Sequence, residues 1–491
     1  MSEEFKNAYA MENTNPILKQ IVVLCKMRLC SPALIGSGED EYSDGDVYIS
    51  KELNVPNNPH TAETHGAQDG GQTSPRSIPL LSGSSLAGVL RSALSEDKAN
   101  SLFGKLIVNK EDKSDMSPLW VYDSPLYQKD SSDAADIITI DNVSLDENRR
   151  NAAIDGKRNF SHLDHMNKIA AKKGKFDFQA VERDSRFDIR LKLVVRERKN
   201  MSEGKESSYD NEALLDELLD LLNTLYIGGK TSRGFGKLEC TAIYKMVFHN
   251  TPDDLDKWLL FKWSDLEALT PEQLPSKPSP HGRIDAVLTL DGTLLIRDDY
   301  SVLEDEDKAH ITSAGIPVIY GTSWAGAIRG GLARFLKTHG YKGCESYLDQ
   351  VFGCIKYDVE TEKKETCPSK IRIDASYFGN DSTSDNRHIV TRVKIDRWTG
   401  GASNSALFTT RPQFGGEVTL TIHYPYDNAA IRELFVLVLQ AIDLGIITVG
   451  GETSIGRGLF CVKRICIDGD EQPDKERLYG MPKEALRLWM K

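Results

Sequence analysis

Apolar and β-branched residues crowd the run 21–29, IVVLCKMRL, and the shorter run 284–290. Both patterns predict strands. Residues 187–196 and 417–423 alternate apolar and polar side chains, the period of a half-buried strand. A different period follows Gly83-Ser84-Ser85. Leu86, Val89, Leu90 and Leu94 recur at helical spacing behind serines suited to an N-cap. Gly321-Thr322-Ser323 opens a second helix in the same way. Residues 211–227 read as a helix with acids at its start and Gly228-Gly229 at its end. Residues 430–449 repeat it, closed by Gly450-Gly451. Residues 253–269 predict a short amphipathic helix carrying Trp258 and Trp263. The proline-rich stretch after it, 270–280, cannot continue a helix or a central strand.

These elements recur because the chain repeats itself, and a repeat decides the fold before anything else. Residues 78–91 match 316–329 without a gap, at an offset of 238. Leu102-Phe103-Gly104 matches Val351-Phe352-Gly353, and Val121-Tyr122-Asp123-Ser124 is aligned with Arg372-Ile373-Asp374-Ala375. Residues 228–236, GGKTSRGFG, match 450–458, GGETSIGRG. Four blocks in the same order define two units, 21–246 and 283–491, with a tail 1–20 and a linker 247–282. Each reads strand, helix, strands, helix, strand. The expected fold is therefore α+β, two tandem ferredoxin-like (RRM-like) βαββαβ cores with large insertions.

The 491 residues suffice for two to four domains. No apolar run reaches the length of about eighteen that a membrane span needs, and residues 1–16 carry no signal-peptide core. Eight cysteines form no CxxC pair, which points to a reducing cytoplasm rather than a disulfide scaffold. Cys344, Cys354 and Cys367 are the one set close enough to share a zinc, but no histidine stands beside them at ligand spacing. The net charge of −12 speaks against a nucleic-acid binder. Its distribution speaks for one. Residues 149–175 hold eight basic side chains, among them Arg149, Arg150, Lys157 and Arg158, against only Asp155 and Asp164.

The turn Gly-[Ser/Thr]-Ser-x-x-Gly-x-[Leu/Ile]-Arg and the late glycine-rich loop, each present twice, resemble the RAMP superfamily, the RNA-binding subunits of CRISPR effector complexes. Ile35-Gly36-Ser37-Gly38 with its acidic loop, Lys175-Phe176-Asp177-Phe178 and the segment 393–402, VKIDRWTGGA, are most similar to type III backbone subunits, here as a fused pair. The resemblance implies a subunit that lines a guide RNA and inserts a thumb hairpin from each unit into the guide–target duplex. The implied partners are guide RNA, complementary target RNA and the other backbone, guide-capping, small and large subunits of a cytoplasmic complex, with no membrane. It also implies cutting of the target at a loop aspartate with a divalent metal, Mg²⁺ or Mn²⁺, while the RNA's own 2′-hydroxyl attacks.

The residues carry that chemistry as follows. The loop 39–46 has five acids in eight residues. Alignment to the family puts Asp44 at the catalytic and metal-holding position, with Asp46 as its rival. An offset of 261 carries Asp44 onto Asp305, although Asp298, Asp299 and Asp307 also qualify and the glycine-rich entry is missing. Ser84, Ser85, Thr322 and Ser323 are small enough for a phosphate to approach a helix start, and Arg91 and Arg329 lie two turns on. The plain alternative is a capped helix packed on a sheet. Lys230, Arg233 and Arg457 sit in glycine loops that suit an anion-binding nest or an ordinary turn. In the second thumb, residues 392–411, Arg397 and Trp398 face RNA, or Trp398 packs under its own hairpin. A scaffold without catalysis is the second reading. A guide-processing nuclease would need a catalytic histidine, and His60, His65 and His388 lie in no matched motif.

Overall fold

The computed structural model describes residues 16–35, 53–54, 77–78, 80–105, 117–125, 154–163, 170–196, 209–274, 281–298, 307–341, 343–357, 364–379, 386–473 and 475–480. In the first unit β1 (Ile17–Leu29) is followed by α1 (Gly83–Ser92), α2 (Glu96–Phe103) and β2 (Leu119–Val121). A hairpin, β3 (Ile154–Leu163) and β4 (Ala170–Val181), precedes β5 (Arg186–Arg196), α3 (Asn211–Asp220) and β6 (Leu238–His249). After the linker helix α4 (Pro252–Leu260), the second unit repeats the series. It runs β7 (Gly282–Asp291), α5 (Gly321–Thr338), α6 (Cys344–Phe352) and β8 (Arg372–Ile373). Then come the hairpin β9 (Val390–Ile395) and β10 (Ala402–Arg411), β11 (Glu417–Tyr424), α7 (Ala429–Asp443) and β12 (Leu459–Ile467).

Both main sheets are antiparallel. Their orders are β6-β1-β5-β2 and β12-β7-β11-β8, the latter extended by Asp470–Gln472. Counting only these strands, each sheet reads fourth, first, third, second. Each central strand carries a register shift against the last strand, at Lys26/Met27 and at Val287/Leu288, 261 residues apart. A bulge bends its strand locally, so the two sheets are bent at equivalent places. Alternation puts Ile21, Val23, Cys25, Met27 and Leu29 into one core with Leu86, Leu90, Leu102 and Leu218. Ile284, Ala286, Leu288 and Leu290 do the same against Trp324, Ile328, Phe352 and Phe435. Each fully buried Val, Leu, Ile, Phe or Met side chain among them contributes about 1.5–3 kcal/mol.

The opposite face of the first sheet is covered by the linker. Val22, Leu24 and Phe248 meet Trp258, Phe261, Trp263 and Leu266 there. The predicted linker helix is broken at Phe261, whose extended backbone (φ −60°, ψ 135°) separates α4 from the 3-10 turn Trp263–Ala268. The break lets Trp258 and Phe261 both reach Phe248 and sends Trp263 onto Tyr122. The helix expected over 211–227 also stops early, at Leu221, because Asn223 turns to accept from Cys240 N at 2.7 Å and Tyr226 bridges to Lys237.

One repeat alignment needs correction. Ser124 Oγ donates to the Asp188 carbonyl and Ser376 Oγ to the Thr419 carbonyl, both at 2.7 Å. Leu81 pairs with Ser124 as Ile319 pairs with Ser376. Sheet register thus matches Ser124 with Ser376, one residue beyond the sequence alignment. The counterpart of Asp374 is Tyr122, not Asp123.

The two units meet in a dense joint made by the first glycine loop. Phe235 stacks on Tyr320 with ring centroids 5.5 Å apart, among Leu34, Ala180, Ile311 and Val318. Lys237 Nζ lies 2.7 Å from Asp374 Oδ2, and Tyr226 Oη donates to Asp374 Oδ1 at 2.8 Å. His423 Nε2 is 3.2 Å from the same carboxylate, and the Arg372 guanidinium lies 3.8 Å from the Tyr226 ring centroid. Burial alone would raise the pKa of Asp374, but the His423 hydrogen bond and the Lys237 charge outweigh it and hold the carboxyl far below the usual range. Ser313 also donates to Glu182 across the joint, both buried.

Candidate RNA interface

The glycine loops share one backbone. Lys230 and Glu452 are left-handed (φ 58° and 56°), as are Gly234 and Gly456 (φ 78° and 86°). A Cβ on Gly236 would run into the Ile227 carbonyl, and one on Gly458 into that of Val449. Gly229 N donates to the Leu34 carbonyl at 2.8 Å and Gly451 N to that of Leu295 at 2.7 Å. The acidic segments therefore leave the two cores at matched points. Asp44, Asp46 and Asp305 themselves lie outside the described residues, as do Arg149 and Arg150. Lys157 and Arg158 lie on β3, where Arg158 pairs with Phe178 along the backbone, and their side chains are outside the description.

The second unit brings three predicted parts together. Asp307, two residues after Asp305, zips onto β10: its N–H donates to the Thr409 carbonyl at 2.9 Å and its carboxylate accepts from Thr409 N at 2.8 Å. Lys308 and Ala309 continue alongside Thr410 and Arg411. Beside this root lies a cavity of about 380 Å³ lined by Asp307, Lys308, Arg392, Lys394, Phe408 and Glu452. Glu452 accepts from Arg392 Nη2 at 2.5 Å and lies 3.4 Å from Arg457 Nη1. Burial alone would raise the pKa of Glu452, but the Arg392 hydrogen bond and the Arg457 charge hold its carboxyl below the usual range. Burial and the nearby Arg392 lower the pKa of Arg457, which is only 5% exposed and makes a long 3.4 Å contact with Thr410 Oγ1. Acidic segment, hairpin and glycine loop converge on one cleft with three lining cations.

From that cleft β9 and β10 project outward. Val393 faces Leu407 across the ladder, and both are exposed together with Ile395. At the tip Trp398 is 97% exposed, so it does not pack under its own hairpin. Arg397 beside it is exposed as well. An indole and a guanidinium held in water at a hairpin tip have the chemistry that stacks on unpaired bases.

Other expected contacts have work inside the protein. Ser84 and Ser85 are exposed in the first turn of α1, but the cap is Ser82, whose Oγ accepts from Ser85 N at 3.2 Å. In the second unit Tyr320 replaces a Ser or Thr cap because its ring is committed to Phe235, and Thr322 and Ser323 are half-buried behind it. Arg91 donates to the Gly104 carbonyl at 2.8 Å and to Asn100, and Arg329 pairs with Asp349, so each guanidinium ties its helix to the next. Arg233 reaches into the joint and donates to the Phe352 carbonyl at 3.1 Å. Burial and Arg329 lower its pKa. Lys230 is half-buried. Cys354 and Cys367 face each other across a short hairpin, Cys344 is buried at the start of α6, and the described residues hold no group of three or more metal-ligating side chains. Lys308, Lys394, Phe408 and Glu452 were not singled out in the sequence. Glu452 had one usable signal, as an acid where the first loop has Lys230.

Two α+β units of equal topology, fused and each bearing an inserted hairpin, define a duplicated architecture. The model of the RAMP superfamily matches residues 26–239 and 289–461, and the chain belongs to that superfamily. Its members are in general CRISPR-associated proteins that bind CRISPR RNA within effector complexes. No curated protein matches the chain significantly. Among the described residues no helix is long and apolar enough to cross a membrane.

Proposed function

We propose that the chain is a fused double backbone subunit of a type III CRISPR effector complex, built on two ferredoxin-like cores. It binds guide RNA, takes up the complementary target RNA and cuts it at the loop aspartates Asp44, with Asp46 as alternative, and Asp305. The observation that carries this reading is the Trp398-tipped hairpin whose root lines a cleft together with Lys308, Arg392 and Lys394. The strand order common to both sheets supports the ferredoxin-like assignment. The cations would hold phosphates, and the hairpin would part the paired strands beside them. Carboxylate oxygens suit a hard divalent cation, Mg²⁺ or Mn²⁺. Held by Asp44 or Asp305, it would stabilise charge at the scissile phosphate. The scaffold reading applies best to the second unit, whose acidic segment is entered by Arg297-Asp298-Asp299 instead of glycines.

The test is the complex assembled with guide and partner subunits, given end-labelled complementary RNA and Mg²⁺, with products mapped to the nucleotide. Two cuts lost separately in Asp44→Ala and Asp305→Ala establish two active units. One cut lost only with Asp44 leaves the second unit as scaffold. Tight binding without protein-dependent cutting removes the enzymatic reading.

A further inference from the structure

The tip of the second hairpin is ordered by a single carboxylate. Asp396 Oδ1 accepts from Trp398 N at 2.9 Å, from Thr399 N at 2.8 Å and from Thr399 Oγ1 at 3.0 Å. The Asp396 N–H donates to the Gly401 carbonyl at 2.8 Å, and its carbonyl accepts from Gly400 N at 3.0 Å. Thr399 Oγ1 in turn accepts from Gly401 N at 3.3 Å, and Gly400 takes the positive φ of 67° that closes the turn. The Thr399 and Trp398 donors hold the Asp396 carboxyl below the usual carboxylate range. Packing adds little at the tip, since Trp398 is 97% exposed, Arg397 is exposed and Asp396 is half-buried.

Packing therefore does not account for this order. A side chain buried in a core keeps its turn in place through contacts. Here the indole is almost wholly in water, and the side-chain hydrogen bond to its own N–H comes from Asp396. Hydrogen bonds of this Asx type fix a local turn. A turn fixed before binding leaves less conformational entropy to lose on binding.

We propose that Asp396 is a positioning residue that presents Trp398, pre-set, for stacking on a base of bound RNA. The proposal rests on the RNA-binding reading above. It assigns no catalytic part to Asp396, which acts only through the backbone of Trp398 and Thr399.

The full-length protein is titrated with RNAs carrying 2-aminopurine at successive positions, read by fluorescence for stacking on the indole and by anisotropy for affinity. The wild type should quench the fluorescence at a defined position, and Trp398→Ala should abolish the quenching. Asp396→Ala should abolish the quenching as well and weaken binding about tenfold, with the melting temperature unchanged because the tip carries no core. Asp396→Asn keeps an oxygen acceptor for both N–H groups and should restore the signal. A merely structural role would not separate Ala from Asn in this way while leaving the melt untouched. Retention of the signal in Asp396→Ala, with loss in Trp398→Ala, overturns the proposal and leaves the RNA reading standing. Retention in both variants removes the hairpin from the RNA path, and the proposal falls with it.

Discussion

Residues 228–236 and 450–458 have one backbone and two uses. Left-handed residues fall at matched places in both, and the glycines after them stand where a Cβ would strike the same preceding carbonyl. The first loop then leaves its own unit. Phe235 enters the cluster between the units, Lys237 pairs with Asp374, and Arg233 reaches Phe352. The second turns back, so that Arg457, where the first has Phe235, lies buried beside Glu452 and Thr410. The glycines set the conformation and the four or five side chains between them set the partner. One loop is the joint of the molecule and the other is part of its cleft.

The sharpest way to break that contrast is to remove Asp374. Its loss leaves Lys237 and His423 against each other with no anion between them. Breaking a buried ion pair from one side costs about 3–5 kcal/mol. Asp374→Ala should lower stability by about 3 kcal/mol in a denaturant melt. The wild-type joint should also weaken in acid. The folded pKa of Asp374 is depressed, so its contribution is present above the unfolded value of about 3.9 and is lost as pH falls below it toward the folded value. Melting temperatures of wild type and Asp374→Asn should converge on acidification. Parallel curves would assign the joint to its apolar contacts alone.

Phe235→Ala tests those contacts. It deletes a 1%-exposed ring from the cluster between the units and should cost about 3 kcal/mol. Arg457→Ala, at the matching place in the second loop, should cost clearly less, because its hydrogen bond to Thr410 is long and Glu452 keeps Arg392 as its partner when the guanidinium is removed. Equal losses in the two melts would mean that both loops are structural to the same degree. Gly321→Ala should fall between them. Its Cβ would meet the carbonyls of Ile373 and Arg233, so both units must shift, whereas Gly83→Ala presses on Val121 and Tyr122 of its own unit.

The duplication, the main strands and the starts of both repeated helices were legible in the sequence because period and turn chemistry are local. The off-by-one at Ser124 was not. Aligning Asp123 with Asp374 satisfies residue identity, but register is fixed by serine hydroxyls bonded to a strand about 40 to 65 residues away. The joint was equally hidden. Lys230 and Arg233 read as part of an anion-binding nest or an ordinary turn, and nothing local in the sequence says that an aspartate and a histidine of the next unit will lie beside that loop. The cleft was half visible. Its hairpin was marked by the family-like segment 393–402, yet the role of Glu452 depends on a fold that brings residues 60 apart together.

Glu452 gives the smallest predicted effect and the most specific one. It neutralises Arg392 directly and Arg457 at longer range, on a cleft that otherwise carries Lys308 and Lys394 against Asp307. Glu452→Gln keeps the size of the side chain and an acceptor for Arg392, and tolerates the left-handed backbone as the wild type does. It adds one net positive charge to the cleft. For single-stranded nucleic acid the salt slope changes by about 0.7 per phosphate neutralised. Anisotropy titrations of a single-stranded RNA over a salt series should therefore steepen by about 0.7, with tighter binding at low salt, about threefold. A misfolded variant would bind more weakly, so tighter binding cannot arise from damage. The same affinity and slope as wild type would place the RNA elsewhere, and the second loop would then be a brace for its hairpin as the first is a brace for the joint.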